Sequence, residues 1–353
     1  MKNIRVSYLL LRTGFLFLIT LLMNGCGGGS NSTNPNSTST SPLTVVAQPA
    51  NDLVWDSLRQ VIYLSIPSSA PSHANTISVL DPFSGRITAS QAAGPDPSVL
   101  AISDDGQFLY AGINGASIVQ RFILPSLTPD IQIPLGSDPF NGPYFALDVQ
   151  VAPGTPHTIA ITLGAFNHSP EALGGLVVFD DATSRSTELS GFPPNIFDSL
   201  QWGADATQLF GANNEVTSFD IYTMTVNSSG LVLDHDFPNL FNTFFARIHY
   251  EPGAKLLYTD SGPVIDPSTG TQAGKFNSIG PMVPDAVLHR AFFVDPPNIQ
   301  SFDLTSFTLL NSFTVSDPTV SGGVGRLIRW GSNGLAFNTS GGQVVLFHGS
   351  LVQ

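Results

Sequence analysis

The chain has almost no means of cross-linking itself, little charge and no long apolar stretch, and each shortage narrows what it can be. Cys26 is the single cysteine in 353 residues. No intramolecular disulfide can form, so the fold must rest on packing alone. Charged residues make up 11% of the chain, and only 13 are Lys or Arg against 26 Asp or Glu. A surface of that sign repels phosphate backbones, which sets nucleic acid aside as an expected partner. The apolar run Phe15 to Met23 is shorter than the roughly 20 residues that a membrane-spanning helix needs. No phosphate-cradling glycine loop, no metal-spaced His/Cys cluster and no nucleophile elbow occurs. No cofactor is therefore expected.

What is present points to export. Hydrophobic residues are 42% of the chain, with 33 Gly and 27 Pro, a mix that suits a loop-rich all-β protein outside the cytosol. Lys2, Arg5 and Arg12 precede the apolar run, no acidic residue does, and the run ends at Gly25-Cys26. That order is the pattern of an export signal over residues 1–25. Leu21-Leu22-Met23-Asn24-Gly25-Cys26 resembles the bacterial lipobox, which implies lipidation of Cys26 and attachment to a membrane. Residues 26–42, rich in Gly, Ser, Thr and Asn, cannot bury enough surface to offset their ordering entropy and read as a flexible tether. Gly27, where inner-membrane retention would place Asp, fits the outer membrane of the cell envelope, facing the periplasm or the exterior. Beyond the signal, 10 basic residues remain against 26 acidic ones, a formal charge of −16.

Residues 43–353 carry a degenerate repeat that appears seven times. One column holds Tyr63, Tyr110, Ile159, Phe210, Tyr258, Phe293 and Phe337, at spacings of 35 to 51 residues. A second holds Leu80, Phe122, Phe179, Phe219, Ile265, Phe302 and Phe347, five of them followed by Asp. A period of this length built from short β-like runs marks a propeller. The second unit shows four strands: Ser98 to Ser103, Phe108 to Ala111, Ser117 to Ile123 and Asp130 to Leu135, with Asp104-Asp105-Gly106 as the first turn. Trp55, Trp202 and Trp330 share one position before that turn, where large side chains would wedge between neighbouring sheets. Asp81, Asp180, Asp220, Asp266 and Asp303 each follow the second column and are expected to cap turns, not to form a catalytic array. After Phe347 too few residues remain for a fourth strand, whereas Leu43 to Ala47 is strand-like and unassigned. The expected fold is an all-β, seven-bladed propeller of four-stranded antiparallel blades, its ring closed by this N-terminal strand.

Leu100 to Ala111, with Asp104-Asp105-Gly106 at its centre, resembles the YVTN family of bacterial seven-bladed propellers and, more distantly, lactonase-type propellers. The resemblance implies the fold and an exported, often surface-attached setting, and it implies no single activity.

Two kinds of site remain to be weighed. The second-to-third-strand loops and the blade-to-blade loops open on one face, and the long ones cluster in blades 2 to 5: Gly136 to Phe145, Gly164 to Gly175, Ser190 to Phe197 and Phe237 to Phe245. Phe140, Tyr144, Phe166, Phe241 and Phe244 in or beside these loops are the candidate ligand face, a platform for a protein or a sugar. The expected function is thus a lipid-anchored binding or scaffold module for an envelope protein or carbohydrate. The alternative is a lactonase-like hydrolase or lyase of a sugar derivative, with Asp148, His249 and Arg329 converging on the central channel. Asp234-His235-Asp236, just after the strand-like Leu231-Val232-Leu233, is the nearest thing to a metal cluster, but three adjacent side chains point in different directions and a solvated loop is the expected reading.

Overall fold

The computed structural model describes residues 41–166, 168–191 and 196–353. The expected signal, Cys26 and all but the last two residues of the tether lie outside them. The described chain folds into seven antiparallel sheets, one per repeat. Blade 1 runs outward through Asp52–Asp56, Val61–Ile66, Thr76–Asp81 and Arg86–Ala92, and blade 2 through Pro97–Ile102, Phe108–Ile113, Ile118–Ile123 and Thr128–Pro134. Blade 3 has five strands. Its inner strand Gly142–Val151 is extended at its start and folds back on Ser137–Asp138, and Thr158–Ala165, Gly175–Asp180 and the short Thr183–Ser184 follow. Blade 4 comprises Ser199–Trp202, Gln208–Ala212, Ile221–Asn227 and Gly230–Phe237, and blade 5 Ile248–Glu251, Leu256–Thr259, Pro263–Asp266 and Thr271–Lys275. Blade 6 comprises Met282–Asp285, Arg290–Asp295, Asn298–Asp303 and Leu309–Thr314. In blade 7, Val324–Trp330, Gly334–Thr339 and Gln343–His348 are joined by Leu43–Val46, with Leu43 opposite Phe347 and Val46 opposite Val344. Each innermost strand lies against those of the next and the previous blade, and Asp52–Asp56 meets Val324–Trp330, so the ring is closed.

Position in the blade decides burial. Second strands are covered by a blade on either side, so Thr158–Ala165 and Gly334–Thr339 are buried throughout and read as near-continuous apolar runs. Outer strands face water, and Arg86–Ala92 and Leu309–Thr314 are mostly exposed. All seven residues of the first repeat column lie on second strands and are at most 1% exposed. Seven apolar clusters sit between successive blades, one per interface. Burying one large apolar side chain contributes roughly 1.5–3 kcal/mol, and with no disulfide possible these clusters carry the fold. Trp202 and Trp330 are wedged in two of them, and Trp202 Nε1 donates across the interface to the Gln150 carbonyl at 3.0 Å.

Polar latches tie the inner rims of neighbouring blades. Asp52 Oδ2 accepts the Leu100 N–H and Asp148 Oδ2 the Leu200 N–H, both at 2.8 Å. Asp260 Oδ1 accepts the Met282 N–H at 3.0 Å, and Asn338 Nδ2 donates to the Ala50 carbonyl at 2.8 Å. Turn capping by the repeated Asp holds in three blades: Asp81 accepts from Phe83 N, Asp266 from Ser268 N, and Asp303 from Thr305 and Ser306 N. The Ser84 hydroxyl on Asp81, the Ser268 hydroxyl on Asp266 and the Ser306 N–H on Asp303, together with the other bonds, hold the three carboxyls below the usual range. Asp180 instead holds Arg185. In blade 4 the expected register is wrong. Phe219 and Asp220 precede the third strand, Ile221–Asn227, and Asp220 organises the loop by accepting from Asn213 Nδ2 and Ser218 Oγ. The local pattern Phe-Asp imitates the end of a third strand although it lies just ahead of one, which starts at Ile221.

Candidate functional site

The channel triad expected for an enzyme does not assemble. Asp148 is 7% exposed and saturated: its Oδ1 accepts from Val149 N and Gln150 Nε2, its Oδ2 from Leu200 N. His249 Nε2 is bound to Asp260 Oδ1 at 2.9 Å within blade 5. Arg329 pairs with Asp285 at 2.8 Å, donates to the Ser332 and Gly334 carbonyls and packs over Phe292. It therefore belongs to the turns of blades 6 and 7 and not to the channel. Asp148 and Arg329 tie neighbouring blades together, and His249 is held within its own. Asp234, His235 and Asp236 lie not in the expected loop but along the outer strand of blade 4, which continues to Phe237; there Asp234 accepts from the Thr225 hydroxyl and His235 pairs with Thr223. Among the described residues no three His, Cys, Asp or Glu side chains converge as metal ligands do.

The five aromatic candidates divide. Phe140 is 94% exposed at the tip of the hairpin that begins blade 3, where Asp138 Oδ1 accepts from the Phe140 and Asn141 N–H groups and fixes the turn. Phe166 and Phe244 are about half exposed. Phe166 stacks on the buried Phe145 with centroids 4.3 Å apart, and Phe244 meets Phe219 edge-on at 5.1 Å. Tyr144 is partly buried against the core between blades 2 and 3. Phe241 is a correction: it is 5% exposed and packed with Phe210, Ile248 and Leu257 between blades 4 and 5, because its loop folds inward before the next blade starts. Phe245, at the end of the last of the long loops and not among the five candidates, is 76% exposed.

On this same face, the loops of blades 3 to 5 enclose a recess of about 170 Å³. Four of them converge there: the second-to-third-strand loops of blades 3 and 4, bringing Glu171 and then Asn214 and Glu215, and the segments entering blades 4 and 5, bringing Asp198 and then Phe245 and Arg247. Backbone bonds lace them together. Asp198 N donates to the Ala212 carbonyl, Phe245 N to the Asn214 carbonyl, and Asn214 Nδ2 to the Ala246 carbonyl at 2.9 Å. Glu171 N donates to Glu215 Oε2.

Asp198 is the pivot. It is 8% exposed, and its Oδ2 accepts from Asn214 N at 2.7 Å and Glu215 N at 3.1 Å, whereas its buried Oδ1 has no hydrogen-bond partner. Burial, reinforced by the carboxylates of Glu215 and Glu171, pushes its pKa up to about 7 against the pull of the two N–H groups. Burial likewise raises Glu215 and Asp148, the latter held back chiefly by the nearby Arg247 charge. Sequence inspection missed Asp198 and Glu215, because each is an ordinary acidic residue within a loop. Only the loop lengths in blades 3 to 5 marked the neighbourhood.

Fold and site together define a seven-bladed β-propeller with an acidic recess and exposed aromatics on its loop face. No protein-family model and no curated protein sequence matches the chain. Among solved structures it is similar to a chain of hydrazine synthase from Kuenenia stuttgartiensis, at 12% identity over 92% of this chain and 100% of that one, with a TM-score of 0.62. It is also similar to the Cps50 (Swd1) β-propeller domain of Myceliophteria thermophila, at 10% identity, 86% and 98% coverage and a TM-score of 0.64. A chain of a mitotic checkpoint complex matches at 14% identity, 95% and 99% coverage and a TM-score of 0.65. At such identities the likeness is one of fold.

Proposed function

We propose that this protein is an exported, lipid-anchored binding module of the cell envelope, and that its loop face over blades 3 to 5 holds an envelope protein or a glycan. One observation carries this: exposed Phe140, Phe244 and Phe245 stand on one loop face, Phe245 in the wall of a recess whose loops are hydrogen-bonded to one another. Large apolar side chains left in water on a fixed scaffold are the usual material of a binding hot spot. The lipobox-like segment ending at Cys26 and the YVTN-like second unit support export and anchoring. A propeller of similar fold occurs in a mitotic checkpoint complex, which supports a scaffold role for the architecture. The binding requires no cofactor. Pull-down from envelope extracts and glycan arrays with the wild type and the Phe140→Ala/Phe244→Ala double variant tests it. Retention should fall at least tenfold in the variant, and equal retention would refute it.

A hydrolase of a sugar derivative is the alternative, and Asp198 is the observation that favours it. A buried carboxyl titrating near 7 is half protonated at neutral pH and could serve as a general acid beside Glu215. Turnover of lactone or glycoside substrates that disappears in Asp198→Asn would establish it.

A further inference from the structure

We propose that the recess between blades 3, 4 and 5 is a socket for the charged end of a lysine or arginine side chain presented by a protein partner. This rests on the binding role of the loop face and commits it to a protein carrying an exposed basic residue.

The polarity of the recess selects the ligand. Four carboxylates line it, Asp148, Glu171, Asp198 and Glu215, and Arg247 is the one cation among its described lining residues. Asp148 has its bonds satisfied within the ring and contributes charge alone. Asp198 differs, because it lines the recess and its buried Oδ1 has no donor. A buried carboxylate oxygen left unmatched is costly, and an incoming N–H group removes the cost. The occupant must therefore donate hydrogen bonds and carry positive charge. An anion is excluded by sign. A metal ion does not fit, since no three acidic or imidazole groups among the described residues converge as ligands.

Size and rim point to a side chain. At about 170 Å³ the recess is smaller than the roughly 300–1,000 Å³ of pockets that enclose whole organic ligands. Phe245 forms part of the wall and is 76% exposed, with Phe244 beside it. An ammonium or guanidinium entering past these rings gains a cation–π contact, and the aliphatic stem finds apolar cover. The raised pKa of Asp198 agrees: a neighbouring cation favours the ionised form, so binding should strengthen as pH rises from 6 to 8. Glu171, Glu215, Asp148 and Arg247 are the charged groups that face it.

The test measures fluorescence anisotropy of end-blocked, labelled glycine pentapeptides with a central lysine, arginine, norleucine or citrulline, against the purified full chain. Lysine and arginine probes should bind with affinities on the order of millimolar or tighter, and the uncharged probes roughly 10- to 100-fold more weakly, as charged hydrogen bonds imply. Asp198→Asn and Glu215→Gln should each weaken the charged probes by a similar factor, and Val287→Ala, in an exposed turn of the opposite face, should leave them unchanged. If Asp198→Asn fails to fold, Glu215→Gln, checked by its melt, decides alone. Equal binding of charged and uncharged probes, or no saturable binding, overturns the socket. So does methylammonium competing as tightly as the peptides, which would assign a free amine, or calcium displacing the probe at micromolar concentration. A partner still captured through Phe140 and Phe244 while the lysine probe fails would refute the socket and leave the binding role of the face standing.

Discussion

Asp198 is the most informative residue to perturb, because its carboxyl is buried, half satisfied and surrounded by other acids. Asp198→Asn removes the titration and keeps an acceptor for the Asn214 and Glu215 N–H groups. In the folded protein the carboxyl titrates at about 7, whereas in the unfolded chain it should titrate near the ordinary carboxylate value of about 4. Between those values the folded state holds a proton that the unfolded state has released, so raising the pH favours unfolding. The stabilising contribution is complete below about pH 4 and is lost as pH rises through about 7. From pH 5 to 8 roughly two pKa units of this difference are lost, or about 3 kcal/mol at 1.36 kcal/mol per unit. For a chain of this length that is about 5 °C in melting temperature. Thermal melts of wild type and variant at pH 5, 6, 7 and 8 give the comparison, with the other acids of the recess common to both. The variant should match the wild type or fall slightly below it at pH 5 and gain about 5 °C on it by pH 8. Parallel curves would refute the claim that Asp198 is buried and ionised at a cost.

Other outcomes follow from the same structure. Phe293→Ala, at a fully buried position between blades 5 and 6, should cost roughly 3–5 kcal/mol in chemical denaturation, and a loss below 1 kcal/mol would contradict its place in that core. A truncation starting at Pro42 should melt like the longer protein, whereas one starting at Pro49 loses the strand Leu43–Val46 and the Gln48 bonds to Ser72. That loss should cost on the order of 5 kcal/mol, from roughly 1 kcal/mol per hydrogen bond plus apolar area, and coincident melts would count against the closure. Cys26→Ser should leave the propeller folded and release it from membranes. Equal membrane retention in cell fractionation would end the lipid-anchor proposal.

The sequence displayed the ring more clearly than the site, for a physical reason. Second-strand positions such as Tyr63, Tyr258 and Phe337 are covered on both sides in every blade, so each repeat must supply a large apolar residue there and the period shows. Where a loop is under no such constraint the pattern misleads: Phe219-Asp220 copies the repeat and yet lies just ahead of a strand, not at the end of one. Exposure of loop aromatics was equally illegible, since Phe241 and Phe244 are three residues apart and one packs inward while the other does not. Asp148, His249 and Arg329 are polar residues on inner strands, a feature that structural hydrogen bonds and a catalytic centre share. The recess is made by residues from four loops, 171, 198, 214–215 and 245–247, and their meeting depends on backbone bonds between loops that no local pattern encodes.

The central claim is that the loop face over blades 3 to 5 is where this protein binds. Photocrosslinking in living cells tests it most directly, with the reactive side chain placed at position 140 or 244 on that face, and at position 58 or 287 in the exposed turns of the opposite face. Crosslinked adducts should form from 140 and 244, be lost in the Asp198→Asn background when the partner docks through the recess, and be absent from 58 and 287. Adducts formed equally from both faces, or only from positions 58 and 287, would contradict the account.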